Sequence, residues 1–88
     1  MVLVKRIVLD VLKPHQPNGL EFAKAIAEHG ADYRVTFTVQ AVDEKTETVQ
    51  IVIEADDINF DIIAETIANL GGSLHSIDEV EVNSTPEE

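Results

Sequence analysis

Histidine and carboxylate residues are the groups in this 88-residue chain best suited to chemistry. His15 closes the run Leu9-Asp10-Val11-Leu12-Lys13-Pro14, and His75 lies in Gly71-Gly72-Ser73-Leu74-His75-Ser76. Imidazole nitrogens and carboxylate oxygens together suit a divalent transition metal or another small cation. The candidate ligands are Asp10, Glu54, His15 and His75, with Asp78 and Glu79 as further candidates. Nothing in their spacing matches a compact HExxH helix, so only the tertiary fold can gather them. The plainer alternative is structural: Arg6 or Lys13 neutralises the acids, and the histidines are ordinary surface residues. His29, at the end of an apparent helix, fits an interaction with the helix dipole.

Other chemistries are excluded by residue type or spacing. Cysteine is absent, which removes disulfides, thiolate metal sites and a cysteine nucleophile. Ser73, His75, Ser76 and Asp78 look like parts of a hydrolase triad. However, His75 and Ser76 are neighbours in an extended run, so alternation points them apart. There is no GxxxxGK or GxGxxG phosphate loop, and residues 43–47 lack the alternating ligands and glycine of a calcium loop. Acid–base catalysis at the histidine–carboxylate edge would need a pocket of a few hundred cubic ångströms. A single domain of this size rarely encloses one, so a non-enzymatic binding module is favoured over a small enzyme. A purely structural or protein-interaction module is the other reading.

The elements that must position these groups follow from hydrophobic period. Residues 2–12 read as a central strand, apolar on both faces. Asn18 and Glu21 have capping-box spacing ahead of an apolar stripe, so 18–29 reads as a helix ending at Gly30. Tyr33 to Ala41 and Val49 to Ala55 alternate with period two and form a hairpin around Asp43-Glu44-Lys45-Thr46. Asn59 caps a second helix, with Ile58 and Ile63 at staple spacing, and Gly71-Gly72 stops it. Leu74 to Val82 is the last strand.

The order βαββαβ specifies an α+β ferredoxin-like plait: a four-stranded antiparallel sheet in the order 4-1-3-2 with two helices on one face. The first and third strands are expected as parallel central neighbours, with the fourth antiparallel beside the first. Level starts would then put Asp10 beside Glu54 on the open face, and the meeting of the first strand's exit with the fourth's entry would add His15 and His75. Leu9, Val11, Phe37, Val39, Ile51 and Ile53 should face the helices. Val4, Arg6, Val8, Asp10, Leu12, Thr36, Thr38, Val42, Gln50, Val52 and Glu54 should face away. That open face is too apolar along the first strand to stand free in water, so a homo-oligomer is expected.

Charge and termini narrow the partners further. The net charge is −11 with histidine neutral, and Lys45 is the one lysine or arginine of residues 43–88. Nucleic acid and anionic membrane surfaces are therefore disfavoured. The open face also lacks the central aromatics on which RNA-recognition plaits stack bases. Lys5, Arg6 and Asp10 interrupt the apolar N-terminus, so no signal peptide or spanning helix is expected and the protein reads as cytoplasmic. One domain over 1–82 is followed by an acidic tail over 83–88 that should fray.

Leu9-Asp10-Val11-Leu12-Lys13-Pro14-His15, Gly71-Gly72-Ser73-Leu74-His75-Ser76-Ile77-Asp78-Glu79-Val80, and Thr46-Glu47 with Glu54 carry a resemblance. Across nearly the whole chain they resemble the archaeal domain of unknown function 211 family. The resemblance implies a ferredoxin-like fold, homo-oligomers that include rings, and no assigned reaction. It maps Asp10, Lys13, His15, Glu54, His75, Ser76, Asp78 and Glu79 onto the family's polar signature positions. Ala55 departs from a more usual glycine, and Ala31-Asp32-Tyr33 departs from a valine-containing turn.

Overall fold

The structure, a computed structural model, describes residues 1–86; Glu87 and Glu88 lie outside the described residues. The element order is β1 (Val2–Pro14), α1 (Gly19–Ala27), β2 (Arg34–Val42), β3 (Thr46–Glu54), α2 (Phe60–Asn69) and β4 (Ser73–Ser84). The sheet order is β2-β3-β1-β4, the expected ferredoxin-like arrangement read from its other edge. No helix among the described residues is long and apolar enough to cross a membrane.

Local chemistry sets both helices. Asn18 Oδ1 accepts from the Glu21 amide at 3.0 Å, and Asn59 Oδ1 accepts from the Ile62 amide at 3.3 Å. α2 ends at Gly71, whose φ of +87° is open to glycine at little cost. The Gly72 amide donates to Ile67 O and the Gly71 amide to Ala68 O, so the last turn's carbonyls are satisfied. Gly71→Ala should therefore destabilise the fold by about 1–2 kcal/mol, the penalty of a left-handed residue with a Cβ. Urea unfolding would measure it, and an unchanged midpoint would contradict this account of the turn.

Ile7, Leu9 and Val11 of β1, with Val49, Ile51 and Ile53 of β3, form the sheet side of the core. Phe22 and Ile26 of α1, Ile63 and Ile67 of α2, and Ile58 close it from above. Both helices thus cover one face, and the expected core positions of β1 and β3 are buried.

Strand direction differs from expectation. β1 and β3 are antiparallel, with Arg6 opposite Glu54 and Asp10 opposite Gln50. The reason is topological: a hairpin reverses β3 relative to β2, and β2 runs parallel to β1 after the α1 crossover. All three ladders are therefore antiparallel.

Bulges alter which face several residues occupy. An irregularity between Val4 and Arg6 turns Val4 toward the core, against which it packs, instead of the open face. Another, between Val39 and Ala41, brings Val42 opposite Glu47, on the helix side of the ladder. Val8, expected to need a covering partner, is only 6% exposed, because its neighbours on the open face include the bridged side chains of Arg6, Glu54 and Glu79.

β1 runs two residues past its expected end. β4 starts at Ser73 and continues past Val82 to Ser84, and the Thr85 amide donates to Met1 O. Strands of this length span about 40 Å, whereas helices of this length span about 15 Å. The helices cannot cover the whole β1–β4 ribbon, and Met1, Val2, Val80 and Val82 remain more than half exposed.

Candidate functional site

The residues expected to form one site divide among three places. The first lies on the open face, where Asp10, Val11, Leu12, Thr48 and His75 line a small cavity of about 140 Å³. Asp10 sits opposite Ser76, while Val11 sits opposite Leu74, so His75 is an extra residue in β4. That bulge turns His75 toward β1, and its Nδ1 lies 3.4 Å from Asp10 Oδ2. The other carboxylate oxygen, Asp10 Oδ1, is buried and has no hydrogen-bond partner. A buried unpaired carboxylate oxygen is unfavourable until a donor or cation reaches it.

The second place holds Glu54, some four residues along β1 from Asp10, or about 13 Å by strand rise. Its Oε2 accepts from Arg6 Nη1 at 2.9 Å, and Arg6 Nε donates to Glu79 Oε1. Arg6 thus bridges β3 and β4 across β1. Its pKa is raised, first by the Glu79 hydrogen bond and then by that to Glu54. Glu54 leaves the proposed ligand set because antiparallel pairing places it opposite Arg6. Arg6 neutralises it, as the structural alternative anticipated.

The third place is the exit of β1, on the helix-covered side. Lys13 follows Ile7, Leu9 and Val11 in alternation and is fully buried. Its Nζ donates to Pro14 O at 2.7 Å and to Glu47 Oε1 at 3.3 Å, and it lies 5.8 Å from the centre of the Phe22 ring. His15 Nδ1 is 3.1 Å from Glu47 Oε2, and its Nε2 is 3.1 Å from Asp43 O and 3.0 Å from Glu44 O. The Glu47 hydrogen bond chiefly, then the Glu44 carbonyl, raises the His15 pKa. Glu47 is lowered in turn, by His15 first and Lys13 second. Both ring nitrogens of His15 are occupied, and it faces away from Asp10, so His15 also leaves the set.

Among the described residues, no three acid or imidazole groups converge as a metal site. Ser76 Oγ donates to Asp78 Oδ1 at 2.7 Å, so it is not presented to His75 as a nucleophile. Asp78 is committed to that bond, and Glu79 to Arg6. His29 lies beyond the end of α1 and meets Thr66 Oγ1 of α2 at 2.6 Å. Because the Thr66 hydroxyl donates to Ile62 O, His29 Nε2 must be the donor.

Sequence reasoning missed Thr48 as a cavity wall and Glu47 as the shared partner of Lys13 and His15. Thr48 was legible through its pairing with Leu12 only once the β1–β3 direction was known. Lys13 could have been found, because it continues the buried parity of Leu9 and Val11; placing the strand's end at residue 12 hid it.

Comparison with known proteins assigns the chain to a family. The family model DUF211, described as an uncharacterized ArCR, matches residues 5–85. The chain is also similar to an uncharacterized protein, MJ0319, of Methanocaldococcus jannaschii, with 44% identity over 77 residues, 88% of this chain and 79% of the relative. The chain, with its Asp10–His75 cavity and its buried Lys13–Glu47 pair, belongs to the DUF211 family.

Proposed function

We propose that this protein is a non-enzymatic, cytoplasmic, homo-oligomeric module that binds a small cationic ligand or divalent metal ion at the Asp10–His75 cavity. The observation that carries the reading is the Asp10 carboxylate in the wall of a cavity also lined by Thr48 and His75, with Oδ2 3.4 Å from His75 Nδ1 and Oδ1 buried without a hydrogen-bond partner. A cation or ligand ammonium in the cavity would neutralise that carboxylate through Oδ2. Asp10 and His75 supply too few ligands for a metal by themselves, so a second copy of the chain completes the coordination. Assembly is supported by the apolar side chains exposed along the β1–β4 ribbon at Met1, Val2, Val80 and Val82. The cavity's small size disfavours substrate turnover, and the acidic surface disfavours nucleic acid and anionic membranes as partners.

Calorimetric titration with zinc, manganese and calcium, alongside light scattering for mass, tests this reading. Wild type should bind one of them, and both Asp10→Asn and His75→Ala should weaken binding at least tenfold. Glu54→Gln and His15→Ala should leave the affinity unchanged, since neither residue reaches the cavity. Absence of binding by wild type would end the metal reading. A monomeric mass with and without the ions would end the assembly reading.

A further inference from the structure

We infer that His15 is a proton-operated clamp: as an imidazolium it ties the β2–β3 turn to the exit of β1, and loss of the proton releases the turn. The inference stands apart from the Asp10 cavity, which lies on the opposite face of the sheet. It begins with the partners of the ring. Nδ1 faces a carboxylate oxygen of Glu47, and Nε2 faces the carbonyl oxygens of Asp43 and Glu44. Every one of these groups is an acceptor. A neutral imidazole carries one N–H, so it would have to aim a lone pair either at the carboxylate or at the two carbonyls. Only the doubly protonated ring satisfies both sides. Its contacts then join three segments: the residue after β1, the first residues of the turn, and β3 through Glu47.

The surrounding charges support this state. Among the described residues Glu47 is the one anion in contact with the ring, and it is also held by Lys13 Nζ from β1. Lys13 opposes a second positive charge nearby, but Glu47 lies between the two and presents a separate oxygen to each. The side chains of Asp43, Glu44 and Lys45 in the turn itself are exposed. α1 contributes the neutral Phe22 ring, which packs under Lys13. Apart from His15, the turn is closed by the Asp43 amide donating to Thr46 O at 2.8 Å.

The pH window follows from the two shifts. His15 is raised above its ordinary value of 6.5, so its contribution is complete below that value and is lost as pH rises through the folded-state pKa. Glu47 is lowered below its ordinary 4.5, so its contribution is present above that value and is lost as pH falls through its folded-state pKa. The clamp is closed between these limits and opens on either side.

Nuclear magnetic resonance on the intact protein tests it. The His15 ring resonances should titrate with a midpoint above 6.5. The heteronuclear NOEs of the Glu44 and Lys45 amides should fall through the same midpoint as the turn loosens. In His15→Ala these NOEs should be low throughout. Glu47→Gln should move the His15 midpoint downward toward its ordinary value. A wild-type midpoint at or below 6.5, turn NOEs that ignore the titration, or a turn in His15→Ala as ordered as in wild type would each overturn the clamp. The wild-type titration decides the matter even if a variant folds poorly.

Discussion

Replacing Phe22 with alanine should remove a large share of the protein's stability, about 3–5 kcal/mol. Phe22 is fully buried and stands where several contacts converge. Its ring lies 5.9 Å from that of Phe37 at a tilt of 52°. Lys13 Nζ approaches its face, and Gly72 approaches so closely that a Cβ there would sit 3.1 Å from the ring. Truncation would therefore open a cavity between α1, β1, β2 and the start of β4, and backbone on several sides limits collapse. Native domains are stable by only about 5–15 kcal/mol, so a loss of this size populates the unfolded state. Urea unfolding followed by circular dichroism would read it directly. A loss below about 1 kcal/mol would show that the site collapses freely and that Phe22 is not central to the packing.

Lys13→Ala should be the second most damaging of these changes, destabilising by about 2–4 kcal/mol, the range for truncating a long, unbranched, buried side chain. Lysine is rarely buried unless paired. Here the stem packs into the core while the ammonium is held by Pro14 O and Glu47. Lys13→Met separates the two contributions. Methionine keeps the stem, and His15 still contacts the Glu47 carboxylate, so most of the stability should return. Glu47→Ala should be worse than Lys13→Met, because it leaves the buried Lys13 ammonium without its anion. If Lys13→Met proved as unstable as Lys13→Ala, the ammonium rather than the stem would be the stabilising part. Thermal melts of the three variants in one buffer give the ordering.

Much of the architecture was legible because it is local. Period-two alternation located β2 and β3, and the apolar stripe after each asparagine cap located α1 and α2. The order of these elements, with right-handed crossovers, was then enough for the sheet order. The core residues Leu9, Val11, Ile51 and Ile53 followed from the same alternation.

The candidate site was legible only in part. Asp10 and His75 do meet: antiparallel pairing of the first and last strands brings them to one level, and the bulge in β4 turns His75 to Asp10. Glu54 and His15 do not join them. For Glu54, the error lay in strand direction: a parallel neighbour would have placed it level with Asp10, whereas the antiparallel ladder pairs it with Arg6. For His15, the error lay in face. It follows the parity of Lys13 and meets Glu47 on the helix-covered side, while Asp10 points to the open side.

By itself, then, the sequence determined which segments become strands and helices, where the helices are capped, and which residues are apolar enough to be buried. These properties are written in residue type and spacing within about a dozen positions. The tertiary structure alone decided how charges pair: Arg6 with two acids, Lys13 and His15 with Glu47, and His75 with Asp10. Register and bulges set those partnerships. One extra residue in a strand changes the face of a side chain, and the irregularities at Lys5, His75 and Asp78 lie in the ladder between β1 and β4, strands at opposite ends of the chain.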